Sequence, residues 1–175
     1  MKFIKAFFKH IFNRIWRLLR WIIFASVTGV ILGLVAAAFN FCLTEAVTLR
    51  ETNVGIAIFL PIVGLLIVYL YNKFSNAQDK GTNLVLSSIN SDEYIPLRMA
   101  PLIFISTVLT QMFGGSAGRE GAALQIGGSI GNYLGNWFKL DSKDKKVFIM
   151  SGMSAAFSAI FGTPVAAAIF SIEVG

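Results

Sequence analysis

The residues best suited to chemistry lie in one short stretch, residues 114–121, which reads Gly-Gly-Ser-Ala-Gly-Arg-Glu-Gly. Its high glycine content disfavours a helix and suits a tight loop whose backbone amides can approach a ligand closely. Residues 122–127 predict a helix whose N-terminus points into that loop. Because a helix N-terminus carries unpaired N–H groups and a partial positive charge, the stretch predicts an anion site that needs no buried cation.

Glu120 stands at the mouth of this expected site. An ionisable side chain between two apolar segments is costly in a membrane, so its presence indicates a function. Its carboxylate can occupy the anion position itself, and protonation would release it and admit the anion. One residue would then serve as both gate and proton carrier. The plain alternative is that Glu120 pairs with Arg119 and that the loop is only a turn.

The elements that must position this loop are apolar. Hydrophobic residues make up 55% of the chain and charged residues 14%, against about 25% charged residues in an ordinary soluble domain. Charge-free windows occupy residues 21–44, 52–72, 99–118, 121–138 and 147–172. Each is close to the roughly 20 residues that cross a bilayer as a helix. A chain of 175 residues cannot hide them all from water, so the sequence predicts an all-α integral membrane protein.

The distribution of positive charge predicts the orientation. Residues 1–20 are basic and place apolar side chains at helical spacing, which predicts an amphipathic cytoplasmic helix held by anionic headgroups. Residues 21–175 form the expected transmembrane region. Basic residues recur at Lys73 and in residues 139–146, so a cytoplasmic N-terminus in the cell membrane puts every basic loop inside. A nucleic-acid-binding arm is disfavoured, because the basic segment leads directly into a membrane span.

Several features interrupt the apolar windows. Pro61 and Gly64 predict a break in the second span. Residues 81–89 are too short to cross and predict a half-helix that starts at a glycine turn, with Thr82 or Asn83 as its cap. Residues 162–164, Gly-Thr-Pro, predict that the last window is two short helices. Broken helices in membranes usually mark substrate sites.

Glycines also recur at four-residue spacing, which permits close helix–helix approach in lipid. They lie at positions 114, 118, 127, 131 and 135. Packing alone explains Gly127, Gly131 and Gly135, and we assign them no function.

Two motifs resemble the CLC family of chloride channels and antiporters. Residues 118–121 resemble its GREGP loop, whose glutamate is the gating residue, and residues 114–116 before it are also similar. Residues 153–173 resemble a later run of the form AA-F-x-x-x-F-x-x-P ending in F-x-x-E. With the matching hydropathy pattern, the resemblance covers roughly residues 20–175. The resemblance implies the first repeat of an inverted-repeat fold with broken and re-entrant helices, and a homodimer with one pore per subunit.

The resemblance also implies a set of site residues. Glu120 would be the gating glutamate and proton carrier of an anion/proton antiporter. The half-helix at residues 81–84 lies where the family carries GSGIP, whose serine contacts the central anion, so that Thr82 would replace that serine. The implied anion-binding residues are Gly81, Thr82, Asn83, Gly118, Arg119, Gly121 and Ala122.

Three departures from the family pattern resemble its fluoride/proton antiporter branch. The loop reads GREGA, with Ala122 in place of proline, and the half-helix lacks the proline and second glycine of GSGIP. Val174 stands where chloride/proton antiporters often carry a second, inner glutamate, which the fluoride branch lacks. Chloride and fluoride both remain candidate substrates, with protons as the coupled ion.

Other functions fit the residues less well. A passive chloride channel without proton coupling would share the same loop and is the main alternative. The G-x-S-x-G pattern around Ser116 matches a hydrolase motif, but the single histidine, His10, lies in the basic helix, so no enzyme is predicted. A cation transporter that uses Glu120 and Glu173 as ligands conflicts with converging helix N-termini. The single cysteine, Cys42, predicts no metal or cofactor.

The resemblance finally implies what the chain needs in order to act. The family is built from two repeats, and residues 1–175 correspond to the first. We therefore expect the pore to require the missing second half.

Overall fold

The computed structural model describes residues 2–74, 81–91 and 95–174, and regular structure in these ranges is helical. The elements, in chain order, are α1 (Lys2–Thr52), a 3-10 helix (Val54–Phe59), α2 (Leu60–Phe74), α3 (Thr82–Ser91), α4 (Met99–Met112), α5 (Arg119–Trp137), α6 (Ser142–Phe161) and α7 (Pro164–Val174). The predicted all-α class is confirmed. The polar segment 76–80 lies outside the described residues, as do the side chains of residues 2–11, to which part of the amphipathic pattern belongs.

The basic N-terminal segment and the first apolar window form one continuous helix. α1 has 51 residues, which at about 1.5 Å per residue exceeds the roughly 30 Å hydrocarbon core. The expected boundary between residues 20 and 21 is therefore a change of composition inside a helix. By length and composition, Arg14–Thr52 and Val54–Phe74 are both able to span a membrane, and each contains an 18-residue stretch with a mean hydropathy of 2.5.

The break expected at Pro61 and Gly64 is wrong. α2 runs without interruption through both residues. Pro61 lies in the first turn of α2, where its missing N–H removes no helical hydrogen bond. The chain changes geometry earlier, in the 3-10 helix Val54–Phe59.

The two other predicted interruptions are confirmed. Gly81 has a φ of +61° and precedes α3, so the half-helix does start at a glycine turn. Gly162 ends α6 in the left-handed conformation, with a φ of 68°, and α7 begins at Pro164. α6 starts before the apolar window, because the carboxylate of Asp141 accepts a hydrogen bond from the backbone N–H of Asp144 at 3.0 Å and caps the helix.

Close packing of α5 on α6 accounts for the spaced glycines. A Cβ on Gly127 would overlap the backbone of Gly152, and one on Gly131 would lie 2.6 Å from the carbonyl oxygen of Phe148. Gly135 faces Lys145, and a Cβ on Gly135 would lie 3.3 Å from Lys145 Cγ. The packing interpretation of these α5 glycines is confirmed. Gly114 and Gly118, by contrast, precede α5 and lie outside its helical surface.

Two buried polar side chains attach α5 to the segment before α4. Ser129 Oγ donates to the carbonyl oxygen of Pro96 at 2.9 Å, and Asn132 Nδ2 donates to that of Ile95 at 2.7 Å. Their surroundings are apolar, and the core around them includes Phe39, Leu43, Val85, Met99, Ile103, Leu124 and Met153. These bonds fix where α4 starts relative to α5, and hence where the loop between them lies.

The turn between α5 and α6 and the loop between α4 and α5 lie at opposite ends of the α1 apolar run. At the start of the run, Phe24 stacks on Phe138 with ring centroids 4.4 Å apart. At its far end, the Cδ of Arg50 lies 3.8 Å from the position of a Cβ on Gly114. Connections at opposite ends are expected of successive helices that each cross the same membrane.

Candidate anion site at two helix starts

The loop before α5 is held in place by α4. Gly114 has a φ of +87°, which favours glycine. The backbone N–H of Gly115 donates to the carbonyl oxygen of Thr110 at 2.8 Å, and a Cβ on Gly115 would lie 2.6 Å from Thr110 Cγ2. Gln111 Nε2 donates to the carbonyl oxygen of Ala117 at 2.9 Å. The loop therefore has a defined conformation, which sets the position and direction of the start of α5.

The N-terminus of α5 has no side-chain cap. Gly118 takes the capping position in extended conformation, with φ −71° and ψ 125°, and no side-chain hydrogen bond is made there. Glu120 lies in the first turn. Because the first N–H groups of a helix have no intrahelical acceptor, this end of α5 retains the donors that an anion needs.

The N-terminus of α3 meets the first turns of α5. A Cβ on Gly121 would lie 3.0 Å from Thr82 Oγ1, so glycine is what lets the two helices approach. Gln125 Nε2 donates to the same Thr82 oxygen at 3.0 Å. Two turns further along α5, a Cβ on Gly128 would overlap the side chain of Val85, which lies about one turn along α3. α3 and α5 therefore run in parallel, with their positive ends together.

The structure brings Thr82 and Gly121 together. The other predicted site residues are close neighbours of these two in the sequence. Glu120 and Asn83 are exposed, Gly81 and Arg119 are half-buried, and Ala122 is buried. Within the described chain no ion pair joins Glu120 to Arg119, so the interpretation of the loop as a turn closed by that pair is not supported. The carboxylate of Glu120 remains exposed beside the first turn of α5.

Gln125 is the site residue that the sequence reasoning missed. It is half-buried and carries the hydrogen bond that joins α3 to α5. Its signal in the sequence is a single amide four residues after Gly121, in an otherwise apolar stretch from residue 122 to residue 128. Side chains four residues apart lie on one helix face, so that spacing would have placed Gln125 beside Gly121.

A separate cavity lies between α1, α6 and α7. Its volume is about 410 Å³, and its lining includes hydroxyl groups of Thr28, Ser151, Ser154 and Ser158. Thr28 Oγ1 is buried and has no hydrogen-bond partner in the described chain. Because no residue of the Thr82–Gly121 contact lines this cavity, we do not assign it to the anion site.

Comparison with known proteins decides the family. The model of the voltage gated chloride channel family matches residues 63–175, which is more than half of the chain. This chain belongs to the CLC family. The matched region includes α3, the loop before α5 and the broken α6–α7 pair, so the elements that form the candidate site all lie in the matched part.

Curated relatives of this CLC chain include channels and exchangers. The "Chloride/fluoride channel protein" of Pseudomonas syringae pv. tomato is 37% identical over 156 residues, covering 89% of this chain and 34% of the relative. The "H(+)/Cl(-) exchange transporter ClcA" of Citrobacter koseri is 28% identical over 166 residues, covering 85% of this chain and 35% of the relative. The chain thus spans about a third of the length of these relatives.

Solved structures show the same fold. A crystal structure of a CLC-type fluoride/proton antiporter superposes with a TM-score of 0.80 at 40% identity, covering 86% of this chain and 38% of the other. A slow cyanobacterial Cl−/H+ antiporter, at 24% identity and a TM-score of 0.70, covers 83% and 37% and is similar in fold. The predicted CLC fold is therefore confirmed, and anion transport is the activity of this membrane family.

Proposed function

We propose that the protein containing this CLC chain exchanges an anion for protons, with Glu120 as gate and proton carrier. The observation that carries the proposal is the meeting of two helix N-termini. Thr82 begins α3 and lies against Gly121 in the first turn of α5, with 3.0 Å between its hydroxyl oxygen and the built Cβ position. Glu120 is the adjacent residue, and its side chain is exposed.

The mechanism follows from competition for one positive site. The N-termini of α3 and α5 attract a negative charge, and a carboxylate or a small anion can satisfy them. An ionised Glu120 would occupy the site and close it. Protonation removes the negative charge, so the side chain leaves and the anion enters. Since each exchange of occupant requires a change in the protonation of Glu120, movement of the anion is linked to movement of protons. That the two ions move in opposite directions is proposed by analogy with the similar structure named a fluoride/proton antiporter.

Fluoride is the proposed anion, ahead of chloride. The 37%-identical relative is named a chloride/fluoride channel protein, and the 40%-identical structure is named a fluoride/proton antiporter. The departures in the half-helix at residues 81–84, at Ala122 and at Val174 support the same branch. A small anion also gains most from close donors, because the attraction between charges grows as their distance falls.

A passive anion channel is the second candidate, since one relative carries the name of a channel. The deciding experiment places the full-length protein in liposomes with a fluoride or chloride gradient and no proton gradient. An ion-selective electrode records the anion while a trapped pH dye records protons. Antiport predicts that the anion gradient drives protons in the opposite direction. Anion flux without proton movement would establish the channel instead.

We further propose a multi-pass arrangement in the cell membrane with a cytoplasmic N-terminus. Arg14, Arg17 and Arg20 lie in the first part of α1, and the stacking of Phe24 on Phe138 brings this part to the basic turn between α5 and α6. Two basic segments thus share one end of the molecule, as the positive-inside rule expects. Because the matched part covers only about a third of these relatives, transport is proposed to require further sequence. A homodimer is proposed from the family resemblance.

A further inference from the structure

The hydrogen bond between Gln125 and Thr82 determines which way the threonine hydroxyl can donate. A hydroxyl has one hydrogen and two acceptor lone pairs, whereas the amide nitrogen of glutamine only donates. Gln125 Nε2 lies 3.0 Å from Thr82 Oγ1 and occupies one of those lone pairs. The hydrogen of Thr82 must then point to a different acceptor.

Thr82 differs in its helix position from other helical threonines of this chain. Thr44 and Thr48 donate to the carbonyl oxygens four residues earlier, at 2.9 and 3.0 Å, as hydroxyls inside helices commonly do. Thr82 is the first residue of α3, so α3 itself has no preceding turn to which its hydroxyl could donate. Its hydroxyl hydrogen is therefore directed neither to Gln125 nor to an earlier carbonyl group of α3.

We propose that Gln125 is a positioning residue that holds the Thr82 hydroxyl as a hydrogen-bond donor to the anion. The inference rests on the proposed function, because it names how that site recognises its anion. A hydrogen bond to a charged acceptor is shorter and stronger than one between neutral groups. A fixed donor therefore favours the smaller fluoride over chloride, since fluoride approaches the hydrogen more closely.

The space beside this pair fits the same role. A Cβ on Gly121 would lie 3.0 Å from Thr82 Oγ1 and 3.9 Å from Gln125 Nε2. Because Gly121 has no side chain, no Cβ from this residue covers either polar atom at the start of α5. Gln125 thereby joins a neutral donor set of hydroxyl, amide and backbone N–H groups, which requires no buried cation.

The test measures fluoride and chloride affinity by isothermal titration calorimetry on the full-length protein in detergent. Gln125→Leu keeps the approximate volume of the side chain and removes its amide. Fluoride affinity should then fall about fivefold, which is the effect of losing one ordinary hydrogen bond. Chloride affinity should fall less. Gln125→Glu keeps the shape but presents an acceptor, which would draw the Thr82 hydrogen away. It should weaken fluoride binding further than Gln125→Leu does.

A double variant separates positioning from general packing. If Gln125 acts through Thr82, then Gln125→Leu combined with Thr82→Ala should bind fluoride no more weakly than Thr82→Ala alone. Asn136→Leu, at the exposed end of α5, is the matched control and should bind as the parent does. Unchanged fluoride affinity in both Gln125→Leu and Gln125→Glu, or fully additive losses in the double variant, would overturn the inference.

The outcome is independent of the test of antiport. If the parent protein couples fluoride to protons but the Gln125 variants keep its affinity and selectivity, only the role of Gln125 is rejected. If the parent protein binds fluoride but does not move protons, the antiport proposal fails while the titrations still report on Gln125.

Discussion

Gly127 of α5 and Gly152 of α6 lie backbone against backbone, and each carbonyl oxygen occupies the place that a Cβ on the other residue would take. This reciprocal contact sets the distance between α5 and α6. Because α5 also carries Gly121 and Gln125 toward α3, α6 supports the candidate anion site from another face of the same helix. The two glycines are therefore expected to matter for stability without taking part in anion binding.

Gly127→Ala should destabilise the full-length protein, because its new methyl group has no position that avoids the backbone of Gly152. Overpacking of a tight contact costs about 1–3 kcal/mol. The change should appear as a lower midpoint of thermal unfolding in detergent, followed by tryptophan fluorescence.

Gly33→Ala is the matched control for this contact. Gly33 also lies inside a helix, but a Cβ there would meet nothing within 4 Å, so its midpoint should stay the same or rise slightly. Equal midpoints for the parent and Gly127→Ala would show that α5 and α6 are not packed as closely as described.

Asn132→Leu should also lower stability, by a different mechanism. The Asn132 amide is 2% exposed and donates to the carbonyl oxygen of Ile95 at 2.7 Å. Leucine would leave that carbonyl group without its donor, which costs about 1–3 kcal/mol when the group is buried. The thermal midpoint of the full-length protein should fall. Asn136→Leu, on the exposed surface of α5, should leave it unchanged, and equal losses in both variants would contradict the assignment.

Local signals predicted the parts of the fold that depend on backbone conformation. The turn at Gly81 and the break at residues 162–164 follow from glycine and proline, whose backbone preferences act wherever they occur. The break expected at Pro61 is wrong, because proline fits the first turn of a helix. The Asp141 cap of α6 was not predicted, although an aspartate before a polar turn is a signal for it.

The site was only partly predictable, because its central contact joins distant parts of the chain. Thr82 and Gln125 are 43 residues apart, and no local pattern states that α3 and α5 run in parallel. The family resemblance supplied Thr82, Glu120 and Gly121 as candidates through their motifs. It gave Gln125 no role, because the role of the Gln125 amide follows only from its hydrogen bond to Thr82.

Thr82→Ala should reduce the preference between fluoride and chloride in the full-length protein. The variant loses the hydroxyl that begins α3, while the backbone N–H groups remain. Thr82→Ser keeps a hydroxyl at the same position and should retain most of the preference. The measurement is the initial rate of uptake of each anion into liposomes, compared as a ratio.

The control for this prediction is Thr48→Ala, which removes an exposed hydroxyl of α1 that donates within its own helix. It should keep the anion ratio of the parent. A ratio that is unaltered in Thr82→Ala as well would remove Thr82 from the site.

The proposed orientation predicts a pattern of cysteine labelling. With Cys42 and every cysteine of the remaining sequence replaced by alanine, Lys143→Cys and Glu51→Cys place single thiols at exposed positions near opposite ends of the molecule. An impermeant maleimide added to intact cells should label Glu51→Cys strongly, and Lys143→Cys only after permeabilisation. The reverse pattern would place the basic turn between α5 and α6 outside the cell and invert the topology.

Glu120→Gln should abolish proton coupling in the full-length protein. The amide resembles the protonated carboxyl group in shape and cannot carry a proton through the cycle, so the gate would lose the charge that competes with the anion. In liposomes with an anion gradient, proton movement should fall to the level of protein-free vesicles. Anion binding by titration should persist, because the N-termini of α3 and α5 are unchanged.

Glu45→Gln is the matched control, since Glu45 is an exposed glutamate of α1 outside the proposed site. Its ratio of protons to anions should equal that of the parent. Glu120→Ala tests the same residue without an amide: it removes the competing group entirely, so anion passage without protons should be at least as fast as in Glu120→Gln. Coupled proton movement that continues in both Glu120 variants would show that another residue carries the proton, and the gate would have to be sought elsewhere.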